Sequence, residues 1–354
     1  MKPIKGRGAV SNPASRFHKQ SISPFDDGWG TIEEEPGRPR TEVRIEKVRR
    51  IIATNQSPDI PFDQSINPYQ GCEHGCIYCY ARPSHAYWDL SPGLDFETRI
   101  FAKPEAPERL REELRKPGYR CKVMALGSNT DPYQPAEAKL EITRGIIEVL
   151  GEFRNPVSIV TKSNMVLRDL DLLVPMARRG LASVYISVTS LDHKLARVME
   201  PRAATPQRRL QTIKALAEAG VPVAVLASPI IPCLNDEDLE GILEAAAEAG
   251  AERANYLLVR LPHEVKELFL EWLQNHFPDR ASKVLNKLLD LRGGRLNDPR
   301  FGSRMRGEGR YAELLKRRFE IASRRLGLNR ERSSLDTTLF RVPLKPGDQR
   351  PLFD

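Results

Sequence analysis

NPYQGCEHGCIYCYARPSH, residues 67–85, sets Cys72, Cys76 and Cys79 in a C-x3-C-x2-C arrangement. Three thiols within eight residues reach one metal centre from a single loop. Gly71 and Gly75 let that loop wrap closely, because glycine tolerates positive φ where a chain folds around a bound group. The donor chemistry leaves two readings. A structural zinc asks for four protein ligands, and the local candidates for the fourth are His74 and His85. Three cysteines alone fit a 4Fe-4S cluster with one iron left open for chemistry.

Outward from this loop the pattern is that of an α/β protein. A strand is expected just before it at residues 64–68. From Cys121 onward, short β-branched runs at 122–126, 157–161, 183–189, 221–227 and 254–259 alternate with helical patterns, as in βα units around a parallel sheet. Thr205 with Pro206 at the first turn and Gly220 at the exit frames one helix. Asn235 as N-cap, acids at Asp236, Glu237 and Asp238, and Gly250 after the end frame another. Six strands result, and no repeat of 20–50 residues is visible. After residue 262 the chain is Arg-rich and mainly helical, with helices expected over 265–277, 280–291 and 311–326.

The reading divides the chain into an extended or disordered basic arm (1–50), a core (51–262) and a basic helical C-terminal extension (263–354). The arm is rich in Gly, Pro, Ser and charge, with EEEPGRPR at 33–40. Of 354 residues, 40% are apolar and 29% charged, which excludes disorder throughout. No stretch reaches the roughly 18 apolar residues of a spanning helix. The opening MKPIKGRGAVSNPASRF lacks the apolar region of a signal peptide, so a cytoplasmic location is expected, where thiols stay reduced.

The net charge of +8 is uneven. Residues 1–50 hold 11 basic and 7 acidic groups, residues 291–354 hold 16 and 8, and the middle holds 28 and 32. A polyanion such as DNA or RNA is therefore expected to meet the ends, for instance at Arg292, Arg295, Arg300, Arg304, Arg306 and Arg310. Solvated surface charge and intramolecular pairing are the competing explanation.

The cysteine spacing, with aromatic Tyr78 before the last cysteine and a six-fold βα series behind it, resembles the radical S-adenosylmethionine (SAM) superfamily over residues 60–262. GCEHGCIYCYARPSH, GSNTDPYQPAE at 127–137 and TKS at 161–163 resemble the branch that contains spore photoproduct lyase and DNA-repair-photolyase-like proteins. KGRGAVSNP and RMRGEG resemble a poorly characterised bacterial group within it. The resemblance implies a partial (β/α)6 TIM-like barrel, with a 4Fe-4S cluster on Cys72, Cys76 and Cys79. SAM would chelate the open iron and be cleaved to a 5′-deoxyadenosyl radical. A reductase, flavodoxin or ferredoxin would donate the electron.

Further site residues follow from the resemblance and from the habit of such sheets to collect ligands at the carboxyl ends of strands. Tyr78 lies on the adenine side. Gly127, Ser128, Asn129, Thr130 and Asp131 stand where the superfamily often has a glycine-rich segment on the SAM amino group, although this chain lacks Gly-Gly-Glu there. Lys162 is placed to pair with the SAM carboxylate, and Ser187 and Thr189 to reach the ribose. Arg197 has two readings, a second carboxylate partner or a helix-surface charge, and an exposed loop lysine is the competing reading of Lys162. The second-strand end lacks the lyase's hydrogen-donor cysteine, which argues against the same reaction. Cys121 precedes a strand, and Cys233, at the end of the fifth, has two readings: a substitute hydrogen donor facing the site, or an inert buried thiol. The leading expectation is a radical SAM enzyme, with nucleic acid as one substrate class. Modification of a protein or metabolite is an alternative, and so is a nucleic-acid-binding protein with a structural cluster.

Overall fold

The computed structural model describes residues 3–17, 39–330 and 334–344. Among them the chain forms ten strands: β1 (Glu42–Ile45), β2 (Ile52–Thr54), β3 (Gln64–Ile66), β4 (Tyr69–Gln70), β5 (Arg99–Ala102), β6 (Met124–Leu126), β7 (Val157–Thr161), β8 (Ala182–Ser187), β9 (Val223–Ile230) and β10 (Arg253–Leu258). The larger sheet runs β10-β9-β8-β7-β6-β3-β2. Every pairing from β3 to β10 is parallel, and β2 lies antiparallel on β3. These six parallel strands are the six expected ones, and the partial-barrel fold is as the sequence implies. Ile66, Leu126, Ile159, Val184, Ile186 and Val225 are fully buried in the sheet core, each such side chain contributing about 1.5–3 kcal/mol.

The helices follow their sequence signals closely. Helix Pro206–Glu218 starts at Thr205, whose hydroxyl accepts from Arg208 N at 3.4 Å. Asn235 departs from its expected role. The acidic turn Asp236–Asp238 is 3-10, and the α-helix runs Leu239–Glu248. Asn235 Oδ1 accepts from Ile231 N at 2.6 Å, and its amide donates to the Thr189 and Pro229 carbonyls. It pins the loop after β9 because that turn leaves backbone groups buried and otherwise unpaired.

A smaller sheet, β1-β5-β4, was not legible in the sequence. Its strands have two to four residues, and β1 is exposed along its whole length, so no alternation marks it. Residues 3–17 contain no helix or strand and are built into the molecule, while β1 lies within the span 1–50 expected to be an arm. Gly8 N and Ala9 N donate to the Glu97 carboxylate at 3.0 and 2.8 Å, Ser11 O accepts from Leu94 N, and Arg16 pairs with Glu264 at 3.1 Å. The remainder of the expected arm up to residue 38 lies outside the described residues.

The extension holds helices Val265–His276, Pro278–Leu291, Ser303–Arg306 and Arg310–Arg325. Phe269, Trp272 and Leu273 share one hydrophobic cluster with Cys76, Ile77 and Tyr78, so the first of these helices braces the cysteine loop. Arg292 holds the 303–306 turn against the end of β10 through the carbonyls of Val259, Ser303 and Arg304. Arg304 in turn bonds Asp59 and Ser57 between β2 and β3. The extension thus links the two edges of the sheet. No helix among the described residues is long and apolar enough to cross a membrane.

Candidate metal and cofactor site

The loop after β4 carries the three cysteines and is held by several neighbouring elements. Arg82, wholly buried, donates to Cys76 O at 2.9 Å, to Gly75 O at 3.1 Å and to the Pro92 and Gly93 carbonyls. Its charge is met by Glu97 at 2.5 Å. Cys72 N donates to Phe96 O, Ile77 N to Met199 O and Arg202 N to His74 O. Gly75 has φ +67°, and a Cβ there would press on the Glu97 carboxylate, so glycine is required where the loop meets this acid.

The loop after β6 is a splint for the cysteine loop. Thr130 Oγ1 donates to Gly71 O at 2.7 Å, Gln134 Nε2 to the same oxygen at 3.2 Å, and Glu73 N to Gln134 Oε1 at 3.0 Å. Asp131 accepts from Thr161 Oγ1, Tyr133 N and Lys162 N, and its Oδ2 lies 3.3 Å from His74 Nδ1. Burial alone would raise the Asp131 carboxyl; His74 and the hydrogen bonds from Thr161 and Lys162 outweigh it and bring the pKa to about 2. Ser128 Oγ and Asn129 N bond Asn67, and Ser128 O accepts from the Tyr80 hydroxyl. Gly127 has φ +93°, and a Cβ would overlap the Val160 carbonyl oxygen, so this glycine serves strand packing.

Lys162 extends from the end of β7. Its Nζ lies 5.9 Å from the Tyr78 ring centroid and 4.0 Å from Glu200 Oε1. Glu200 is buried and also accepts from the Tyr78 hydroxyl, from Thr189 Oγ1 at 2.5 Å and from Arg209. Burial would raise this carboxyl too, but Arg209 and Lys162 hold it below its ordinary value. The carboxylate therefore fixes Tyr78 and stands under Lys162, whose ammonium keeps other donors for an incoming anion.

The thiols of Cys72, Cys76 and Cys79 are unbridged. Burial pushes all three up, Cys76 to about 12 and Cys72 well above the ordinary thiol range. Such thiols become ligands by giving up protons to a metal centre. Among the described residues no three His, Cys, Asp or Glu side chains are grouped for a single ion. His74 is turned to Asp131, and His85 Nε2 meets Arg99 O at 2.9 Å. Among the described residues neither histidine is turned to the thiols to complete a four-ligand zinc site, whereas three thiols on one splinted loop fit a polynuclear cluster.

Other expected residues have different surroundings. Ser187 Oγ donates to Ser228 O at 3.0 Å and is buried, so its hydroxyl ties β8 to β9. Thr189 is engaged by Glu200. Arg197 is exposed on helix His193–Met199. Cys121 donates to Asn155 Oδ1 at 3.3 Å, and Cys233 takes φ +63° in the loop after β9. Four of the six arginines expected to meet a polyanion have partners within the chain. Arg292 is buried on three carbonyls, Arg300 pairs with Asp298 and Glu308, Arg304 with Asp59, and Arg306 with Asn255. Arg82, Glu97, Glu200 and Arg209 were missed because isolated charged residues in sequence read as surface, and only the fold brings them together in buried pairs.

The radical SAM superfamily model matches residues 66–246, and the chain belongs to that superfamily as a radical SAM enzyme. An uncharacterized protein of Mycobacterium tuberculosis is 39% identical over 236 residues, 65% of this chain and 69% of that protein. Another, of Methanocaldococcus jannaschii, is 27% identical over 222 residues, 63% of this chain and 79% of its own. Among solved structures, a variant of spore photoproduct lyase matches with a TM-score of 0.59 at 15% identity, over 81% of this chain and 80% of that one. Spore photoproduct lyase complexed with dinucleoside spore photoproduct matches at 0.57 and 16% identity over the same shares. At such identity these likenesses establish the fold.

Proposed function

We propose that Cys72, Cys76 and Cys79 hold a 4Fe-4S cluster and that the chain uses it to cleave SAM reductively. The observation that supports this is the donor set itself: three unbridged thiols on one loop, those of Cys72 and Cys76 buried and that of Cys79 partly exposed. When bound, the cluster and SAM supply a 5′-deoxyadenosyl radical, after an external reductase, flavodoxin or ferredoxin has given the electron. The protein's own part is orientation and exclusion of water. Lys162 offers its ammonium to the SAM carboxylate, with Glu200 setting its position and fixing Tyr78. Gly127, Ser128 and Asn129, together with Thr130, present the loop after β6 to the methionyl end, while Asp131 anchors that loop to His74 and the end of β7. Helix Val265–His276, with Gly8 and Ala9, closes the cysteine loop from behind.

A nucleic-acid-related substrate is supported by the dinucleoside spore photoproduct held by spore photoproduct lyase. It would enter at the carboxyl ends of the strands, since most of the C-terminal arginines named above are paired internally. The test is anaerobic reconstitution with iron and sulfide. About four irons per chain are expected, together with a change in the electron paramagnetic spectrum of the reduced cluster when SAM is added. Full iron content in Cys72→Ala, or a spectrum indifferent to SAM, would overturn the assignment.

A further inference from the structure

Arg260 lies just past the carboxyl end of β10, on the side of the sheet where β3 leads through β4 to the cysteine loop. Its guanidinium is 5.8 Å from the ring centroid of Tyr80, the residue after Cys79. The Tyr80 hydroxyl is held by Ser128 O in the loop after β6, while the ring is half exposed. Three strand-end loops thus converge on one arginine and one aromatic face.

Arg260 forms no ion pair among the described residues. Among the described residues no carboxylate lies within 4.0 Å of it; Nη1 meets Met305 Sδ at 3.9 Å, and the buried Nε has no hydrogen-bond partner. Asp59, the nearby acid, is already paired with Arg304 at 2.5 Å. Burial and the Arg304 guanidinium both weaken the hold of Arg260 on its proton. A partly buried cation without an ion-pair partner is costly, and a guanidinium fork with a free N–H edge matches an oxyanion bidentately. The adjoining ring offers a stacking face to a planar group.

We propose that Arg260 and Tyr80 form the site that recognises the substrate, taking a planar group that carries an oxyanion, either a phosphate ester or a carboxylate. Arg260 binds the anionic oxygens and Tyr80 stacks on the ring next to them. This rests on the radical SAM reading, which places the reacting group beside the cysteine loop.

The experiment uses the full-length, cluster-loaded protein and three probes, phenyl phosphate, benzoate and phenol, with affinities measured by titration calorimetry at low and high salt. At least one of the two anions should bind about ten- to a hundredfold tighter than phenol at low salt, with the advantage shrinking in salt. Arg260→Gln should remove that advantage and Arg260→Lys should restore part of it. Preference for phenyl phosphate identifies a phosphate ester, and preference for benzoate a carboxylate; either upholds the site. Affinities equal to that of phenol, or an advantage that survives in Arg260→Gln, would overturn it. If Arg260→Gln fails to fold, the wild-type ratios and Arg260→Lys decide. Formation of 5′-deoxyadenosine by the wild-type protein without any probe tests the radical reading separately.

Discussion

Arg82 donates to Glu97 across 2.5 Å with both side chains shut off from water. The pair joins three parts of the chain. Arg82 closes the cysteine loop, Glu97 ends helix Leu94–Thr98 alongside Thr98, and the other donors to Glu97 are the backbone amides of Gly8 and Ala9. A carboxylate in this position is neutralised by Arg82 and satisfied by the arm, so loss of either partner leaves a buried charge or orphaned donors.

Glu97→Gln should therefore destabilise the protein by about 3–5 kcal/mol. Urea denaturation of the wild-type and variant proteins measures it, with iron content after reconstitution as a second readout. A change below about 1 kcal/mol would show that the pair is not the clamp described.

Gly8→Ala probes the arm alone. A Cβ at this position would overlap the Gly75 carbonyl oxygen, whereas one at Gly118 meets nothing within 4 Å. Gly8→Ala should lose its visible cluster absorbance in air several times faster than wild type, and Gly118→Ala should match wild type.

His85 gives a pH signature. Its Nε2 faces the Arg99 carbonyl, so the neutral ring carries its proton there, and burial draws its pKa from 6.5 down to about 4. The unfolded chain takes up a proton near pH 6.5 that the folded chain refuses until about pH 4. Stability accordingly falls as the pH drops through this window, by up to about 3 kcal/mol. Urea midpoints across the window should show this component in wild type and its loss in His85→Gln. An identical pH profile in the two proteins would contradict the assignment.

Arg292 separates structural from nucleic-acid-binding charge. Arg292→Gln removes contacts to three carbonyls and should cost about 3 kcal/mol of stability. If Arg292 instead contacted phosphates, stability would be unchanged and the salt dependence of DNA binding would flatten by about 0.9.

The parallel sheet was legible because its strands are β-branched runs of ordinary spacing, and the cysteine loop because three thiols in eight residues have few other uses. The six strands and the start of helix Pro206–Glu218 appear as read. What stayed hidden is contact made by folding. Asn235 has the sequence signature of a cap, but Ile231 N lies closer to its side chain than the first helical amides do. Arg292, Arg300 and Arg304 look like a polyanion surface until their partners Val259, Asp298 and Asp59 are brought alongside. Glu200 is a single acid before a proline, and nothing in its local sequence marks it as the buried partner of Tyr78, Thr189 and Arg209.

The central claim is that the cysteine loop supports reductive cleavage of SAM. The reconstituted protein, reduced with dithionite under anaerobic conditions and supplied with SAM alone, is analysed by chromatography for 5′-deoxyadenosine and methionine. The account predicts slow, equimolar formation of both by wild type and none by Cys76→Ala. Tight SAM binding with no cleavage under several reductants, or equal product from Cys76→Ala, would contradict it.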